Sequence, residues 1–493
     1  MSSGGGLRRR ADLGTLTDGH VQRFEALLSK SRVVTSPHDL ESYNTDWLKQ
    51  TKGQSRVVLR PKTVEEVSAI MRICSEENLA VCPQGGNTGL VGGSVPVFDE
   101  VIVSMSLMRN IIGVDPLGGT VSCEAGCVLE EVNSHVDKQG LMMPYDLGSK
   151  GSCQIGGNIS TCAGGLRLIR YGSQHANLLG IQAVLANGDV LDCMSGHRKD
   201  NTGYHLRQLF LGAEGTLGIV TGAVINCPPK PAAVSLAFLG MEDYSNVLAT
   251  LTTAKQMLSE TLSSCEMMDN VCMEAVVGKL GLRSPLDRHN FYMVLETQAS
   301  NQEHDRHKMD NFLRELFDNG SIQNGTVTSE PSKINTLWKL RERIIEGLSR
   351  DKEVLTYDLT FRHAKCYDIV HAMRERLKKH EATVSCCGHI GDGNVHLNIQ
   401  ADKFTDSLRA EIEPFVYDWT WKNGGSISAE HGIGLYKRRH LHRAKGTTPW
   451  LETMRAIKKT MDPAGILNPY KVIVDPREMA DDKHFETASV LDN

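Results

Sequence analysis

The stretch PQGGNTGLVGGSVP, residues 83–96, combines five glycines with Gln, Asn, Thr and Ser side chains. A second tract, DLGSKGSCQIGGNISTCAGG (146–165), has the same character, and a third, LFLGAEGTLGIVT (209–221), is shorter. Glycine lets main-chain N–H groups approach an anion closely, and hydroxyl and amide side chains add further donors. The tracts therefore predict a pyrophosphate site that needs neither a metal ion nor a lysine.

Two other nucleotide-binding motifs do not fit these tracts. A P-loop would need Gly-Lys-Ser or Gly-Lys-Thr, which the tracts lack. A nicotinamide-type site would need G-x-G-x-x-G between a strand and a helix, with an acidic residue about twenty positions later. The alternative is that these glycines only form turns, but two long tracts, each between β-rich runs, favour a ligand.

The surrounding sequence predicts an α+β fold. TVEEVSAIMRICSEENL (63–79) is typical of a helix, with a Thr cap, a Glu three residues later and apolar residues at helical spacing. CPPKPAAV (227–234) holds three prolines and indicates a domain boundary. Beyond it, apolar strands such as FYMVLET (291–297) alternate with amphipathic helices such as HDRHKMDNFLRELFDN (304–319). A sheet covered by helices fits this pattern.

Composition excludes several classes of function. The 493 residues are enough for two or more domains. Lys plus Arg number 54 against 59 Asp plus Glu, so the net charge of −5 gives no electrostatic case for nucleic acid. No apolar run is long enough to span a bilayer. The 13 cysteines are scattered without a CxxC pair, which indicates buried thiols in a reducing compartment.

The segment GHIGDGNVHLN (388–398) places two histidines around a turn-forming Asp392-Gly393. A two-residue type I′ turn there would pair His389 with His396 across a hairpin and put Asn398 on the same face. Two imidazoles in this arrangement are either ordinary polar side chains on a wet sheet or two metal ligands that need a third.

Three later segments, taken together with the glycine tracts, resemble one protein family. GHIGDGNVHLN, GGSISAEHGIGLYKR (424–438) and MDPAGILNPYK (461–471) are similar to the D-2-hydroxyacid dehydrogenase branch of the vanillyl-alcohol-oxidase-type flavoproteins. The resemblance extends from about Leu16 through Lys471. It implies a FAD-binding domain of the vanillyl-alcohol-oxidase type, a substrate domain with a helix-covered antiparallel sheet, and a helical C-terminal segment.

The expected boundaries follow from this resemblance and from the proline-rich segment. They are an N-terminal tail (1–30), the FAD-binding domain (31–230), the substrate domain (231–410), a helical C-terminal domain that completes the active site (411–475), and a tail (476–493).

The resemblance implies that the FAD pyrophosphate lies on the first tract and that the second tract wraps the rest of the dinucleotide. The implied residues are Gln84, Gly85, Gly86, Asn87, Thr88, Gly89, Asp146, Gly148, Ser152, Gly156, Gly157, Asn158 and Gly164. Ile219 is expected near the adenine, and Asn468 near the flavin ring. No histidine lies between Val81 and Asn133, so noncovalent FAD binding is expected.

The resemblance also assigns a metal site, formed by His389, His396 and Glu430. Two imidazoles and a carboxylate are a common three-ligand set for Zn²⁺ with an open position, and Mn²⁺ or Co²⁺ are alternatives. A 2-hydroxy acid can chelate such a cation, which then acts as a Lewis acid on the hydroxyl. His431 is the expected general base, since the ordinary imidazole pKa of about 6.5 suits that task.

Substrate recognition is expected to involve Arg341, Thr356, Asn398 and His431. LWKLRERIIEGLSRD (337–351) predicts one helix with Arg341 and Ile345 on the same face, and the Arg341 guanidinium suits bidentate carboxylate binding. A surface ion pair is the alternative for Arg341. The family carries Thr at the position of Ile345 and Lys at that of Thr356, so this chain is expected to bind a second carboxylate less tightly.

The function that the resemblance implies is oxidation of D-2-hydroxyglutarate to 2-oxoglutarate, with hydride transfer from C2 to the flavin N5. Electron-transferring flavoprotein in the mitochondrial matrix is the implied electron acceptor. The N-terminal residues lack the apolar core of a secretory signal and are too short and glycine-rich for a convincing mitochondrial presequence. Alternatives are a dehydrogenase of D-lactate or another D-2-hydroxy acid, a flavin-free zinc hydrolase, and a flavin-binding scaffold without activity.

Overall fold

The computed structural model describes residues 7–445 and 448–478, so parts of both predicted tails, residues 1–6 and 479–493, lie outside the described residues. Within those ranges the strands are β1 (Val33–Val34), β2 (Val58–Leu59), β3 (Val81–Gln84), β4 (Val101–Ser104), β5 (Ile111–Asp115), β6 (Thr120–Glu124), β7 (Leu178–Val184), β8 (Val190–Cys193), β9 (Ile219–Asn226), β10 (Ala233–Met241), β11 (Leu262–Asp269), β12 (Phe291–Ala299), β13 (Asn324–Thr328), β14 (Glu353–Thr360), β15 (Ala382–Gly388) and β16 (Asn394–Ala401).

Helices in the same ranges lie before, between and after these strands. They are α1 (Asp18–Leu28), α2 (Pro37–Asn44), α3 (Val64–Glu76), α4 (Leu129–Asp137), α5 (Ile155–Thr161), α6 (Leu168–Tyr171), α7 (Gln174–Asn177), α8 (Tyr244–Met257), α9 (Asn270–Glu274), α10 (Gln302–Asp318), α11 (Pro331–Glu342), α12 (Ile344–Leu348), α13 (Asp368–Leu377), α14 (Asp406–Lys422), α15 (Arg438–Lys445) and α16 (Pro449–Met461). The α+β class is confirmed.

The first half of the chain contains two sheets. A four-stranded sheet has the order β1-β2-β4-β3, and a five-stranded antiparallel sheet has the order β5-β6-β9-β7-β8. Helix α3 begins as predicted, because the Thr63 side chain accepts the main-chain N–H of Glu66. Helix α1 lies inside the interval predicted as an N-terminal tail. It packs against this half because Phe24 and Leu28 are apolar and are buried in its core.

The second half is built on a seven-stranded antiparallel sheet with the order β13-β10-β12-β11-β15-β16-β14. Helices α8, α10, α13 and α14 pack on one face, and α9, α11 and α12 pack on the other. Side chains alternate between the faces, so Leu239 contacts the first group and Phe238 the second. Because both faces are covered, β10 is apolar at every position except Ser235, and β12 is apolar from Phe291 to Leu295.

The predicted two-residue turn at Asp392-Gly393 is wrong. β15 ends at Gly388, β16 begins at Asn394, and Cys387 rather than His389 is the cross-strand partner of His396. The Gly391 N–H bonds to the Cys265 carbonyl oxygen of β11 at 3.1 Å instead of pairing within the hairpin. The shift is by two residues, so His396 and Asn398 keep the predicted face, and the rings of His389 and His396 still lie 5.3 Å apart.

The prediction of one helix across residues 337–351 is also wrong. Helix α11 ends at Glu342, and Arg343, with ψ of 14°, separates it from α12. Arg341 points inward with its side chain 11% exposed, whereas Ile345 is 42% exposed. The two side chains therefore do not share a buried helix face.

The C-terminal segment after α16 returns to the first half. Ile466, Leu467 and Tyr470 are buried in its core, and Leu467 forms a parallel bridge with Val81 of β3. All 13 cysteines are free thiols, which confirms the predicted absence of a disulfide framework. Among the described helices, none has both the length and the apolar character that a membrane crossing requires.

Candidate active site

One cavity of about 670 Å³ lies between the three glycine tracts. Its walls include β3 with the loop that follows it, the segment that leads into α5, and the turn before β9. Twelve of the residues predicted to contact FAD line it: Gln84, Gly85, Gly86, Asn87, Thr88, Gly89, Gly148, Ser152, Gly156, Gly157, Asn158 and Ile219. Short glycine-rich stretches of the sequence were therefore enough to predict many of the residues that line this cavity.

The tracts need glycine because their main chains are in contact. A Cβ atom on Gly86 would collide with the Ser152 carbonyl oxygen, and one on Gly156 would lie 2.7 Å from the Ala125 Cβ. The walls that result combine glycine main chain and small polar side chains with apolar side chains such as Leu90 and Met105. Such walls fit the phosphates of a dinucleotide, which main-chain and hydroxyl donors bind well.

One buried side-chain oxygen in the cavity wall lacks a hydrogen-bond partner in the described part of the chain, and a polar ligand could supply one. The Gln154 residue is 8% exposed, and among the described residues its Oε1 has no hydrogen-bond partner. A buried acceptor without a donor costs free energy, so a bound group with N–H or O–H donors would stabilise this position. The cavity residues therefore fit a dinucleotide.

Three other predicted FAD residues lie outside the cavity wall. Asp146 faces a second cavity, where its carboxylate pairs with Lys150 at 3.0 Å and Arg167 at 3.3 Å. Gly164 lies against Glu430, because a Cβ on it would be 3.0 Å from the Glu430 Oε2.

Asn468, the third of these residues, bonds to the loops that form the cavity. Its φ is 42°, and its Nδ2 donates to the carbonyl oxygens of Gly93 at 2.9 Å and Glu214 at 2.7 Å. Its partners in the structure are therefore main-chain atoms of the loops that form the cavity.

The three predicted metal ligands lie together at one end of this cavity. The Glu430 Oε1 is 3.3 Å from the His389 Nε2 and 4.0 Å from the His396 Nε2. Two ligands that each lie about 2 Å from one ion are at most about 4 Å apart, so the three atoms can share a Zn²⁺ ion. Glu430 and His431 also line the glycine-walled cavity, which brings the metal cluster and the dinucleotide site together.

Asp358, His396 and His431 form a second grouping with metal-ligand spacing. The Asp358 Oδ1 is 4.0 Å from the His396 Nδ1, and its Oδ2 is 3.9 Å from the His431 Nδ1. His396 belongs to both groupings, and its ring stacks on the His431 ring with centroids 5.8 Å apart. The second grouping therefore places His431 beside the predicted metal ligands.

Sequence reasoning missed Glu266, which lies behind the cluster. Its Oε1 is 2.7 Å from the His389 Nδ1, and its Oε2 accepts the Arg341 Nε–H at 2.9 Å. A carboxylate on the second nitrogen of a ligand histidine fixes the ring for coordination through the first. β11 (LSSCEMMD) also contains two serines and an aspartate, so nothing in the sequence set Glu266 apart as a buried acid.

Burial and neighbouring charges set the protonation of the cluster. Burial opposes charge on His389, but Glu266 outweighs it and raises the pKa of His389 well above its ordinary value. Burial also opposes charge on Glu430, yet the hydrogen bond from His389 lowers the pKa of Glu430 to about 2. Burial, helped by the charge of His389, lowers the pKa of His396 to about 3. A cation that binds here replaces the proton on His389.

The predicted substrate residues lie on two sides of this cluster. Arg341 is buried beside Glu266, and Asn398 is fully buried on β16. The Thr356 hydroxyl donates to the Asn398 Oδ1 at 3.0 Å, but Thr356 itself is exposed on the edge strand β14. Ile345 is exposed as well. The two positions that are expected to depart from the family pattern therefore both face solvent.

Comparison with known families matches nearly the whole chain. Residues 55–194 match the family described as FAD binding domain, and residues 230–472 match the family described as FAD linked oxidases, C-terminal domain. The chain is 49% identical to the mitochondrial D-2-hydroxyglutarate dehydrogenase from Danio rerio, over 94% of this chain and 87% of that protein. It is 40% identical to a D-2-hydroxyglutarate–pyruvate transhydrogenase from Saccharomyces cerevisiae, over 95% and 97%.

Solved structures share the architecture at low sequence identity. The crystal structure of p-cresol methylhydroxylase with substrate bound superposes with a TM-score of 0.74 at 17% identity, over 93% of this chain and 97% of that one. This likeness confirms the expected vanillyl-alcohol-oxidase-type fold.

The contact between the glycine tracts generates a first prediction. Gly86→Ala should separate the tracts, because the added methyl has no space, and overpacking costs about 1–3 kcal/mol. We expect FAD binding to weaken by about tenfold or more, since 1.4 kcal/mol is a factor of ten. Gly113→Ala is the matched control, because nothing lies within 4 Å of the added Cβ. Equal FAD content and equal melting temperature in both variants would contradict the proposed contact.

The mode of FAD attachment gives a second prediction. The part of the cavity wall that the first tract forms holds no histidine, so a covalent histidine link there is not available. Denaturation of the purified yellow protein should release all flavin into the supernatant. Flavin absorbance that stays with the precipitated protein would show a covalent bond and contradict noncovalent binding.

Proposed function

The chain belongs to the D-2-hydroxyglutarate dehydrogenase branch of the FAD-linked oxidases, and on this premise we propose that it oxidises D-2-hydroxyglutarate to 2-oxoglutarate with a divalent metal ion. It is an FAD-dependent dehydrogenase. The observation that carries the proposal is the shared cavity, whose wall contains both the glycine tracts and the pair Glu430 and His431. A flavin-free hydrolase would have no use for the glycine-walled part.

The residues of the cluster divide between holding a cation and moving a proton. When bound, FAD supplies a two-electron acceptor, and the divalent cation supplies a Lewis acid that favours loss of the hydroxyl proton. His389, His396 and Glu430 would hold the cation, with Zn²⁺ as the best fit and Mn²⁺ or Co²⁺ as alternatives. His431 is 23% exposed and lines the cavity, so it can receive the C2 hydroxyl proton.

We propose that Arg341 binds the carboxylate next to C2. Its Nε–H donates to Glu266, which fixes the plane of the guanidinium group. The direction in which the remaining N–H donors point is therefore defined as well. Glu266 also orients His389, so one carboxylate aligns both a metal ligand and the substrate-binding arginine. A carboxylate bound by Arg341 would therefore be aligned with the residues of the proposed metal site.

The second carboxylate of D-2-hydroxyglutarate would be bound less strongly. Thr356 provides a hydroxyl where the family has an ammonium group, and this position is exposed. An exposed carboxylate keeps its water, so the missing lysine costs less than it would in a buried site. We therefore expect D-2-hydroxyglutarate to remain a substrate. D-lactate, which has no second carboxylate, is the alternative.

The electron acceptor and the compartment are proposed from the relatives. We propose electron-transferring flavoprotein in the mitochondrial matrix, because the relative from Danio rerio is named as mitochondrial. The name of the relative from Saccharomyces cerevisiae specifies transhydrogenation with pyruvate. Anaerobic reduction of the flavin by D-2-hydroxyglutarate, followed by mixing with electron-transferring flavoprotein or pyruvate, would distinguish the two acceptors.

The metal assignment gives a third prediction. Chelation should abolish turnover and leave FAD bound, and Zn²⁺, Mn²⁺ or Co²⁺ should restore it. His389→Ala, His396→Ala and Glu430→Ala should each lose the metal. His431→Ala should retain it but turn over about 10²–10⁴-fold more slowly, the range for a missing general base. Metal analysis of the purified variants checks these outcomes, and metal loss from the His431 variant would refute the division of roles.

Substrate preference gives a fourth prediction. Thr356→Lys should lower the KM for D-2-hydroxyglutarate by about 1.4-fold to fivefold, because an exposed ion pair contributes about 0.2–1 kcal/mol. The KM for D-lactate should stay unchanged, since it has no second carboxylate. Thr356→Met is the matched control for side-chain length without charge. If both substrates respond equally, or if D-lactate is already the better substrate of the unmodified protein, the glutarate assignment is wrong.

A further inference from the structure

The segment 428–434 carries both Glu430 and His431 but forms neither helix nor strand. Its main-chain N–H groups therefore have no secondary-structure partners, and buried donors of this kind need acceptors. The N–H of Gly432 bonds to the Ser428 hydroxyl at 2.8 Å within the segment. The neighbouring N–H groups bond to two buried carboxylates that come from different halves of the chain.

Asp358 binds the first part of the segment. Its Oδ2 accepts the N–H groups of Ala429, Glu430 and His431 at 3.0, 2.9 and 2.9 Å. Its Oδ1 accepts the Asn394 Nδ2–H at 2.9 Å. Asp358 is 1% exposed and lies on β14, so its position is fixed by the seven-stranded sheet.

Glu214 binds the second part from the opposite side. Its Oε1 accepts the N–H of Ile433 at 2.7 Å, and its Oε2 accepts the N–H of Gly434 at 2.8 Å. Glu214 is 7% exposed and lies in the third glycine tract, in the wall of the cavity. The segment is thus bonded to the sheet through one carboxylate and to the glycine-walled cavity through the other.

The contacts of Asp358 argue against its serving as a metal ligand, although it belongs to the grouping with His396 and His431. Three N–H donors already occupy the Oδ2 and one occupies the Oδ1. Lone pairs that accept these bonds are not available for coordination without breaking them. Burial opposes charge on Asp358, but the neighbouring His431, Lys437 and His396, together with the main-chain N–H donors, hold the pKa of Asp358 well below its ordinary range.

We propose that Asp358 is a positioning residue that holds Glu430 and His431 in register with each other, and that Glu214 fixes the same segment against the dinucleotide cavity. The proposal deepens the proposed function and rests on its roles for Glu430 and His431. Because one oxygen holds three successive N–H groups, a change at Asp358 would move the metal ligand and the base together.

Asp358→Asn tests the first carboxylate. The amide removes the charge and turns one acceptor into a donor, so the three bonds weaken together. We expect faster hydrogen exchange of the amides of Ala429, Glu430 and His431. We also expect the kcat to fall by about 10–100-fold, as for residues that support a metal ligand, with KM little changed and metal still bound at saturating Zn²⁺.

Two further variants complete the design. Glu214→Gln should speed exchange at Ile433 and Gly434 and lower kcat without loss of metal, so the proposal is testable even if Asp358→Asn does not fold. Glu100→Gln is the matched control, because Glu100 is also buried and accepts two main-chain N–H groups, which come from Val97 and Phe98 rather than from the segment 428–434. Exchange at 428–434 and kcat should stay unchanged in this control.

The outcomes separate the proposal from the proposed function. Loss of metal from Asp358→Asn with unchanged exchange would show a ligand and overturn the positioning role. A kcat for both variants equal to that of Glu100→Gln would overturn it as well. An unmodified protein that holds FAD but turns over without metal would overturn the metal-dependent function. The exchange measurements would still decide whether the two carboxylates hold the segment.

Discussion

Main-chain contact between the two long glycine tracts is the constraint on which the site depends. Gly86 lies directly against the Ser152 carbonyl oxygen, so the tracts approach more closely than any side chain would allow. The cavity that results has glycine main chain, small polar groups and apolar side chains in its walls. Glu430 and His431 also line it, which places the proposed metal site beside the cofactor site.

The cluster is an arrangement of buried and partly buried ionisable groups, all from the second half of the chain. Glu266 lies between His389 and Arg341, Asp358 lies beside His396 and His431, and Glu430 bridges the histidines. A buried ion is costly unless its partners are close and hydrogen-bonded, and each of these carboxylates has such partners. The arrangement is rigid for the same reason, since moving one group leaves another without its partner.

The sequence predicted the parts of this site that local chemistry determines. The glycine tracts, the pair His389 and His396, and the cap at Thr63 follow from short patterns, whereas Glu430 came from the family resemblance; the structure brings the three predicted metal ligands together. The hairpin register failed because the Gly391 N–H bonds to the distant residue Cys265, which a local turn rule does not include. Glu266 and Asp358 were missed because their role depends on partners more than 70 residues away in the chain.

The return of the C-terminal segment to the first half has a consequence for biosynthesis. Ile466, Leu467 and Tyr470 fill the core against β3, which is made early in translation. These residues are synthesised after the whole second half, so the apolar surface around Val81 stays uncovered while that half emerges and folds. The segment 428–434 lies just before them in the chain. Completion of the core of the first half and the arrival of Glu430 and His431 therefore both come late in synthesis, and a chain that stalls before this point exposes apolar surface that chaperones can bind.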